Sequence, residues 1–148
     1  MTAMAKLTFE LTTPERIVEK KEVDGATLPT QEGEITVLPG HIPLVGNLRP
    51  GVVTLHVGEE REYLAVSGGF IEVQPDGRLI VLADTAERAE ELDMEKIEEA
   101  RERARKALEE KRDMDDVAAA AAISALEREL ARERTARKYR DLKKRPVA

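Results

Sequence analysis

The chain has 148 residues, a formal net charge of −6 at neutral pH, and a composition that is 41% hydrophobic and 36% charged. At this length we expect one domain, or one small domain with an appendage. With only two phenylalanines, two tyrosines and no tryptophan, the core must be aliphatic, and the high charged fraction indicates much solvated helix surface. The absence of cysteine excludes disulfides, thiolate metal sites and thiol nucleophiles.

The sequence carries no pattern of a membrane-inserted or exported chain. Residues 1–9 lack the apolar stretch of a signal peptide. The longest apolar run, residues 117–123, is far shorter than the roughly 20 residues that cross a bilayer. We therefore expect a soluble protein made in the cytoplasm, whose association with a membrane comes only through a partner.

The first half of the chain has the glycine and proline distribution of a β-rich fold. All nine glycines lie at or before Gly77, and six of the seven prolines lie at or before Pro75. Alternating or β-branched runs predict strands at residues 7–11, 17–23, 34–38, 52–57, 63–66, 70–73 and 79–82. Turn signals separate these runs, for example at residues 57–60 and 74–77. The pattern favours an antiparallel sandwich or barrel over βαβ units, and we expect a β-sandwich over residues 1–86.

Ser67-Gly68-Gly69 is the one segment of this half that invites a catalytic interpretation. It lacks the context of a nucleophile elbow, and no glycine-rich loop of the chain ends in Gly-Lys-Ser or Gly-Lys-Thr. Because paired glycines suit a tight turn, we expect a hairpin there and no catalytic site.

From Ala86 onward the apolar period becomes helical. The recurring positions are Leu92, Ile97, Ala100, Ala104 and Leu108, and then Ala119, Ile123, Leu126 and Leu130. An acidic cluster at residues 113–116 separates the two runs and is suited to cap the second helix. The prediction is an antiparallel two-helix hairpin over residues 87–148. We expect residues 118–122, all alanine, to form its buried stripe. Alanine buries little area, so such a hairpin is weakly held.

Charge is divided between the two halves. Residues 1–86 carry 7 Lys/Arg and 13 Asp/Glu, whereas residues 128–148 carry 9 Lys/Arg and 3 Asp/Glu. A basic helical tail is typical of nucleic-acid binding, but this one offers only Tyr139 for stacking, and the chain as a whole is acidic. An acidic protein partner, or the acidic half of the same chain, suits the tail better than nucleic acid.

Four sequence blocks carry a family resemblance. They are GEITVLPGHIPL at 33–44, LRPG at 48–51, VSGGFIEV at 66–73 and VLADTAER at 81–88. In order and spacing they resemble the epsilon subunit of bacterial F-type rotary ATP synthases. That family combines a β-sandwich with a helical hairpin, and the resemblance therefore spans the whole chain.

The resemblance implies a subunit of the rotor with no catalytic residues, no metal and no required cofactor. Its sandwich would contact the gamma subunit and the ring of c subunits, at the cytoplasmic face of the bacterial membrane. Its hairpin would lie folded on the sandwich or extend towards the beta subunits, where it obstructs ATP hydrolysis. An element with two positions needs two packings that differ by only a few kcal/mol.

The resemblance also implies roles for two residues of the sandwich. Glu34 and His41 would lie on the edge that faces the c ring. The structural alternative for His41 is a polar residue at a turn whose backbone Pro39 and Gly40 determine. His56, the other histidine, is expected to be a strand residue, and neither histidine has metal-ligand spacing.

Some members of the family bind ATP between folded helices through an (I/L)-D-x-x-R-A motif. Here residues 92–97 occupy that place, with Asp93 matching and Glu87 matching an upstream acid. Ile97 replaces the motif's alanine, and Lys96 replaces its arginine, which keeps the charge but loses the planar fork that grips phosphate. Further phosphate contacts could come from Arg103, Arg128 and Arg132. An ATP-sensing hairpin is therefore the alternative function, and a solvated helix face is the structural alternative.

The basic tail is the candidate brake. The resemblance places acidic segments of the beta subunits near the tip of an extended hairpin. The residues that we expect to inhibit hydrolysis there are Arg134, Arg137, Lys138 and Arg140.

Overall fold

Ten strands precede two helices in the computed structural model, which describes residues 5–110 and 116–144. The strands are β1 (Leu7–Thr12), β2 (Ile17–Val23), β3 (Gly25–Thr30), β4 (Gly33–Val37), β5 (Leu44–Leu48), β6 (Gly51–Val57), β7 (Glu60–Val66), β8 (Gly69–Val73), β9 (Arg78–Ala83) and β10 (Ala86–Arg88). A 3₁₀ turn at Ala89–Glu91 leads into α1 (Met94–Glu110) and α2 (Asp116–Lys144). The predicted β-sandwich followed by a two-helix hairpin is confirmed.

The strands form one sheet that folds over on itself. The order is β10-β7-β6-β3-β5-β8-β9-β1-β2, with β4 paired to β3 outside this path. The fold-over lies between β3 and β5, where Thr30 and Leu48 are the one paired position. Neighbouring strands are antiparallel except β1 and β9, which run parallel. The parallel pair is the one departure from the predicted antiparallel arrangement.

The core between the two layers is aliphatic, as the composition predicts. Alternate residues of β1 point inward, and Leu7, Phe9 and Leu11 are at most 1% exposed. Phe9 is the one aromatic residue of the core cluster, in which Leu, Val, Ile and Ala supply the rest. Alternation in a half-buried strand is therefore the feature that determines the register of this sandwich.

Three strands were not predicted: β3, β5 and β10. β3 contains Gly25 and Pro29, and β5 contains Gly46, residues that are disfavoured in strand interiors. β10 covers the point where the helical period was predicted to begin, and it pairs with β7 from Ala86–Val66 to Arg88–Leu64. Tertiary pairing overrides local propensity at all three positions. The division of the chain at residues 86/87 stays a prediction, and β10 spans it.

Ser67-Gly68-Gly69 does not form the predicted hairpin. β7 pairs with β6 and β10, whereas β8 pairs with β5 and β9, so the chain passes from one layer to the other here. The Ser67 hydroxyl accepts hydrogen bonds from the Thr85 backbone N–H at 2.7 Å and from the Thr85 hydroxyl at 2.9 Å. The Asp84 N–H donates to the Gly68 carbonyl at 2.9 Å. Two connections therefore cross the corner of the sandwich side by side, and the serine has a structural role.

The helices pack differently from the predicted pattern. On α1, Ile97 is fully buried, as its place in the apolar period predicts. On α2, however, Ala120 and Ala121 are exposed, Ala118 and Ala119 are half-buried and only Ala122 of the five is buried, so the prediction of a continuous buried alanine stripe is wrong. The buried face lies mainly further along α2, where the helix packs on β6 and β7. Of the acidic cluster, residues 113–115 lie outside the described residues, and Asp116 is the first residue of α2.

We call the place where residues 67–69 and residues 84–85 pass side by side the crossing corner. Any side chain at position 69 of this corner is expected to lower the stability of the fold. A Cβ atom there would lie 1.9 Å from the Leu82 carbonyl oxygen, which belongs to the backbone and cannot rotate away. We expect Gly69→Ala to lower the free energy of unfolding by about 2 kcal/mol or more, in the range of overpacked cores. Urea denaturation measures the change.

Gly46→Ala is the matched control, because it is also a strand glycine and its Cβ would lie 3.4 Å from the Ile71 side chain, an ordinary contact. We expect the control to change the free energy of unfolding by less than ~1 kcal/mol. Equal unfolding midpoints for the two variants would contradict the steric account of the corner.

Candidate interaction surfaces

The segment from β4 to the following turn forms an exposed edge of the sandwich. β4 is hydrogen-bonded to β3, and Glu34 faces solvent opposite Pro29. Gly40 has a φ of +83°, a conformation that favours glycine, and the His41 N–H closes the turn on the Leu38 carbonyl at 3.1 Å. The structure therefore places Glu34 and His41 on one continuous strand-and-turn segment, which we call the β4 edge (residues 33–45).

The imidazole of His41 is orientated by its own turn. Its Nδ1 lies 2.6 Å from the Ile42 carbonyl oxygen, and since a carbonyl can only accept, Nδ1 carries the proton. In the neutral ring Nε2 is then an acceptor. This side chain is suited to a polar contact outside the chain.

Large apolar side chains are exposed along the same edge. Leu38 is 56% exposed, Ile42 75% and Val45 74%. An acid, an imidazole and three exposed aliphatic side chains together are typical of an interaction surface.

A second apolar surface was missed by the sequence analysis. Phe70 and Leu82 are cross-strand partners on β8 and β9, and they are 60% and 52% exposed. They line a shallow pocket with Thr12, Pro14 and Asp84 at the crossing corner. The available signal was the presence of large apolar residues at the outward positions of alternating strands.

The hairpin lies folded on the sandwich, with α2 against β6 and β7. Arg132 of α2 binds Glu87 of β10, with Nε 2.6 Å from Oε2. Lys138 lies above the ring of Tyr63 on β7, its Nζ 5.8 Å from the ring centroid, which is a cation–π contact. Polar contacts thus join the two parts of the chain.

The structure brings together some of the residues that were considered for nucleotide binding. Glu87 and Arg132 are paired, and Arg128 lies one turn before Arg132 with its Nε 3.6 Å from Glu129. Burial alone would lower the pKa of Arg132, but the hydrogen bonds that its guanidinium donates to Glu87 and Glu129 outweigh burial and raise that pKa. The guanidinium is therefore a permanent charge.

The other three residues of that set are placed differently. Asp93 caps α1, accepting hydrogen bonds from the backbone N–H groups of Glu95 at 3.0 Å and Lys96 at 3.4 Å. Lys96 and Arg103 are exposed on α1, seven residues apart and so on one face, about 100° around the helix from Ile97. They do not share the face that is buried against α2.

Two of the four residues proposed as a brake already have partners within the chain when the hairpin is folded. Arg137 pairs with Glu133 at 2.5 Å, and Lys138 lies over Tyr63. Arg134 and Arg140 are exposed, and Arg134 lines a groove with Arg49 and Glu127.

His56 lies in β6, as expected, with Nε2 2.9 Å from the Thr27 hydroxyl. Burial lowers its pKa and the charge of Arg61 lowers it further, so the ring is neutral near pH 7. Within residues 5–110 and 116–144, no group of three His, Asp or Glu side chains is arranged to hold a metal ion. No helix in the same ranges is long and apolar enough to cross a membrane.

Comparisons with known proteins point to one family. The model of the β-sandwich domain of the ATP synthase delta/epsilon chain matches residues 6–89. The ATP synthase epsilon chain of Dehalococcoides mccartyi is 43% identical over 137 residues, covering 93% of this chain and 96% of that protein. The epsilon chain of Moorella thermoacetica is 48% identical over 130 residues, covering 87% and 95%.

Solved structures give the same result. A chain of the Euglena gracilis mitochondrial ATP synthase, solved with OSCP, F1 and the c-ring, superposes with a TM-score of 0.71 at 29% identity, covering 86% of this chain and 79% of that one. A chain of the central stalk and c-ring of the Tetrahymena thermophila mitochondrial enzyme superposes with a TM-score of 0.53 at 19% identity, covering 93% and 98%. At that identity the second match shows the fold alone.

Proposed function

This chain belongs to the ATP synthase delta/epsilon family, and we propose that it works as the epsilon subunit of the central stalk of a bacterial rotary ATP synthase. It is a non-catalytic part of the rotor that couples proton translocation to ATP synthesis. It binds the gamma subunit and the c ring through its sandwich. It is held as a peripheral protein at the cytoplasmic face of the membrane by these partners.

The observation that carries this proposal is the composition of the β4 edge. Glu34 and His41 offer an acid and an orientated imidazole, and exposed aliphatic side chains flank them. A rigid sandwich supports the edge, so its side chains are positioned before a partner arrives. We assign the β4 edge to the c ring.

The hairpin supplies the regulatory part of the proposal. In the folded position the cations Arg137 and Lys138 are bound within the chain. When the hairpin extends, the same cations reach acidic segments of the beta subunits and inhibit ATP hydrolysis. Individual surface pairs contribute only ~0–1 kcal/mol, but several together shift an element whose two positions are closely balanced.

A second function, ATP sensing by the hairpin, is favoured by one observation. Glu87, Arg128 and Arg132 lie together where α2 meets the sandwich, and Arg132 is permanently charged. A phosphate chain would have to displace the carboxylates of Glu87 and Glu129 from Arg132. ATP would then act as a regulatory ligand and not as a substrate.

The β4 edge gives a coupling prediction. Reversing charge with Glu34→Lys and removing the imidazole with His41→Ala should lower proton-driven ATP synthesis by at least about threefold, because two contacts worth ~0.5–1 kcal/mol each are lost. Synthesis in inverted vesicles measures the effect. Glu59→Lys, the same reversal at the β6–β7 turn, is the control. Normal synthesis by the double variant would contradict the assignment of this edge.

The tail gives a prediction about hydrolysis. Replacing Arg134, Arg137, Lys138 and Arg140 with glutamine should raise ATP hydrolysis by the assembled complex at least about threefold, since charge attraction to the beta subunits is lost. Rising salt should have the same effect, because exposed pairs are screened over ~8–10 Å. Lys106→Gln, an exposed cation of α1, serves as control. Inhibition that survives both neutralisation and salt means that the brake is purely steric.

ATP sensing is tested by calorimetric titration of the full chain with ATP·Mg. If the hairpin is a sensor, saturable binding should appear, and Arg132→Gln should weaken it at least about tenfold, as expected for a lost charge-assisted contact. Lys106→Gln should bind as the unmodified chain does. Absence of heat at millimolar ATP would rule this function out.

A further inference from the structure

The buried face of α2 contains charge where a helix interface ordinarily contains large apolar side chains. Among the α2 side chains that the structure describes, the buried ones are Ala122, Glu129, Ala131, Glu133, Thr135 and Ala136. Alanine and threonine bury little apolar area, and Leu126 and Leu130 are only half-buried, so the hydrophobic contribution of α2 to docking is limited. A carboxylate in such a position must be paired, because an isolated buried charge is strongly unfavourable.

Glu133 joins the two helices. Its side chain is 8% exposed, and its two oxygens bind different arginines. Oε2 lies 2.5 Å from Nη1 of Arg101 on α1, and Oε1 lies 2.5 Å from Nη2 of Arg137, one turn further along α2. Both oxygens of the carboxylate therefore have an arginine partner only while α2 lies against α1.

Glu129 joins the hairpin to the sandwich through Arg132. Its side chain is 5% exposed, and Oε2 lies 2.8 Å from Nη1 of Arg132. The same guanidinium turns its Nε to Glu87 of β10 at 2.6 Å. Since Glu129 and Glu133 are four residues apart, one face of α2 presents both carboxylates, one orientated through Arg132 towards the sandwich and one towards α1.

We propose that Glu129 and Glu133 form a charge latch that holds the hairpin in its folded position and keeps Arg137 from its braking contact with the beta subunits. The role of the hairpin in hydrolysis rests on the proposed function; the latch itself does not. Attraction within a buried pair roughly offsets the desolvation of its members, so a latch of this kind is specific in geometry without being irreversible. An acidic surface that competes for Arg101, Arg132 and Arg137 releases it.

The latch is tested by measuring the hairpin position in the full chain. The sequence has no cysteine, so spin labels at Glu59→Cys and Asp141→Cys, both exposed, report one distance between the β6–β7 turn and the end of α2. In this labelled background, Glu133→Gln keeps the shape of the side chain and removes its charge. We expect the ratio of long to short distances to rise at least about fivefold, because two half-exposed guanidinium groups each lose their carboxylate partner.

Glu127→Gln is the matched control, an identical change at an exposed position of the same helix. Arg101→Gln gives an independent variant on α1 that leaves α2 and the sandwich unaltered. Combined with Glu133→Gln, it should raise the ratio by less than the product of the two single effects, as expected for residues that act on each other. The latch would be overturned if neither Glu133→Gln nor Arg101→Gln changed the distance, or if Glu127→Gln changed the ratio as much as Glu133→Gln does. It would also be overturned if the effects of Glu133→Gln and Arg101→Gln on the ratio simply multiplied in the double variant.

A hydrolysis assay separates the latch from the proposed inhibition. In the assembled complex, Glu133→Gln should lower ATP hydrolysis, because a released hairpin brakes more often. If the distance shifts and hydrolysis does not, the latch stands and the braking role is contradicted. If the distance does not shift, the latch is overturned whatever the rate of hydrolysis.

Discussion

The pairing of two buried carboxylates, Glu129 and Glu133, determines how the hairpin lies on the rest of the molecule. The sandwich is held by a continuous aliphatic core in which Leu7, Phe9 and Leu11 are almost fully buried. The hairpin has no equivalent among its described side chains, apart from Ile97. The two halves of the chain therefore depend on different physical forces. Apolar burial makes the sandwich rigid, whereas charge pairing makes the hairpin position sensitive to competing charges.

This difference matches the proposed division of labour. A subunit that transmits torque needs a rigid body, and the crossing corner at Ser67–Gly69 contributes to it by binding the two layers together. A regulatory element needs two positions of similar free energy. The basic residues of α2 serve both positions in the proposal, since Arg137 and Lys138 are bound to Glu133 and Tyr63 when the hairpin is folded. Folding and braking then compete for the same charges.

The sequence predicts well those features that depend on local periodicity. Alternation identifies β1 and a short β-branched run identifies β9, and Gly58 and Gly77 mark two true hairpin turns with positive φ. Prediction from the sequence fails where tertiary contacts determine the conformation. Position 69 requires glycine, because a Cβ atom there would lie 1.9 Å from the Leu82 carbonyl oxygen. No local sequence pattern reveals that contact. The alanine stripe is wrong for a similar reason, because burial on α2 follows the position of α1 and the sandwich.

The candidate surfaces show the same limit. Glu34 and His41 were identified through family resemblance, since neither has a distinctive local pattern. The exposed pair Phe70 and Leu82 was missed as a pair: the position of each within its strand indicates that it faces outward, but only the strand pairing shows that the two lie side by side. The ion pair between Arg101 and Glu133 joins residues 32 positions apart in the chain, and the pair between Glu87 and Arg132 in the same network joins residues 45 positions apart. Contacts at that separation are not readable from spacing.

The most direct test of the account is to fix the hairpin in its folded position within the assembled ATP synthase. Cysteines introduced at Tyr63 and Lys138, which are in contact in the structure, can be joined by a short bismaleimide in a chain that otherwise lacks cysteine. The account predicts that cross-linked complexes hydrolyse ATP at the rate of complexes whose epsilon chain ends before α1, and that uncross-linked complexes of the same variant are slower. Equal rates with and without the cross-link would contradict it.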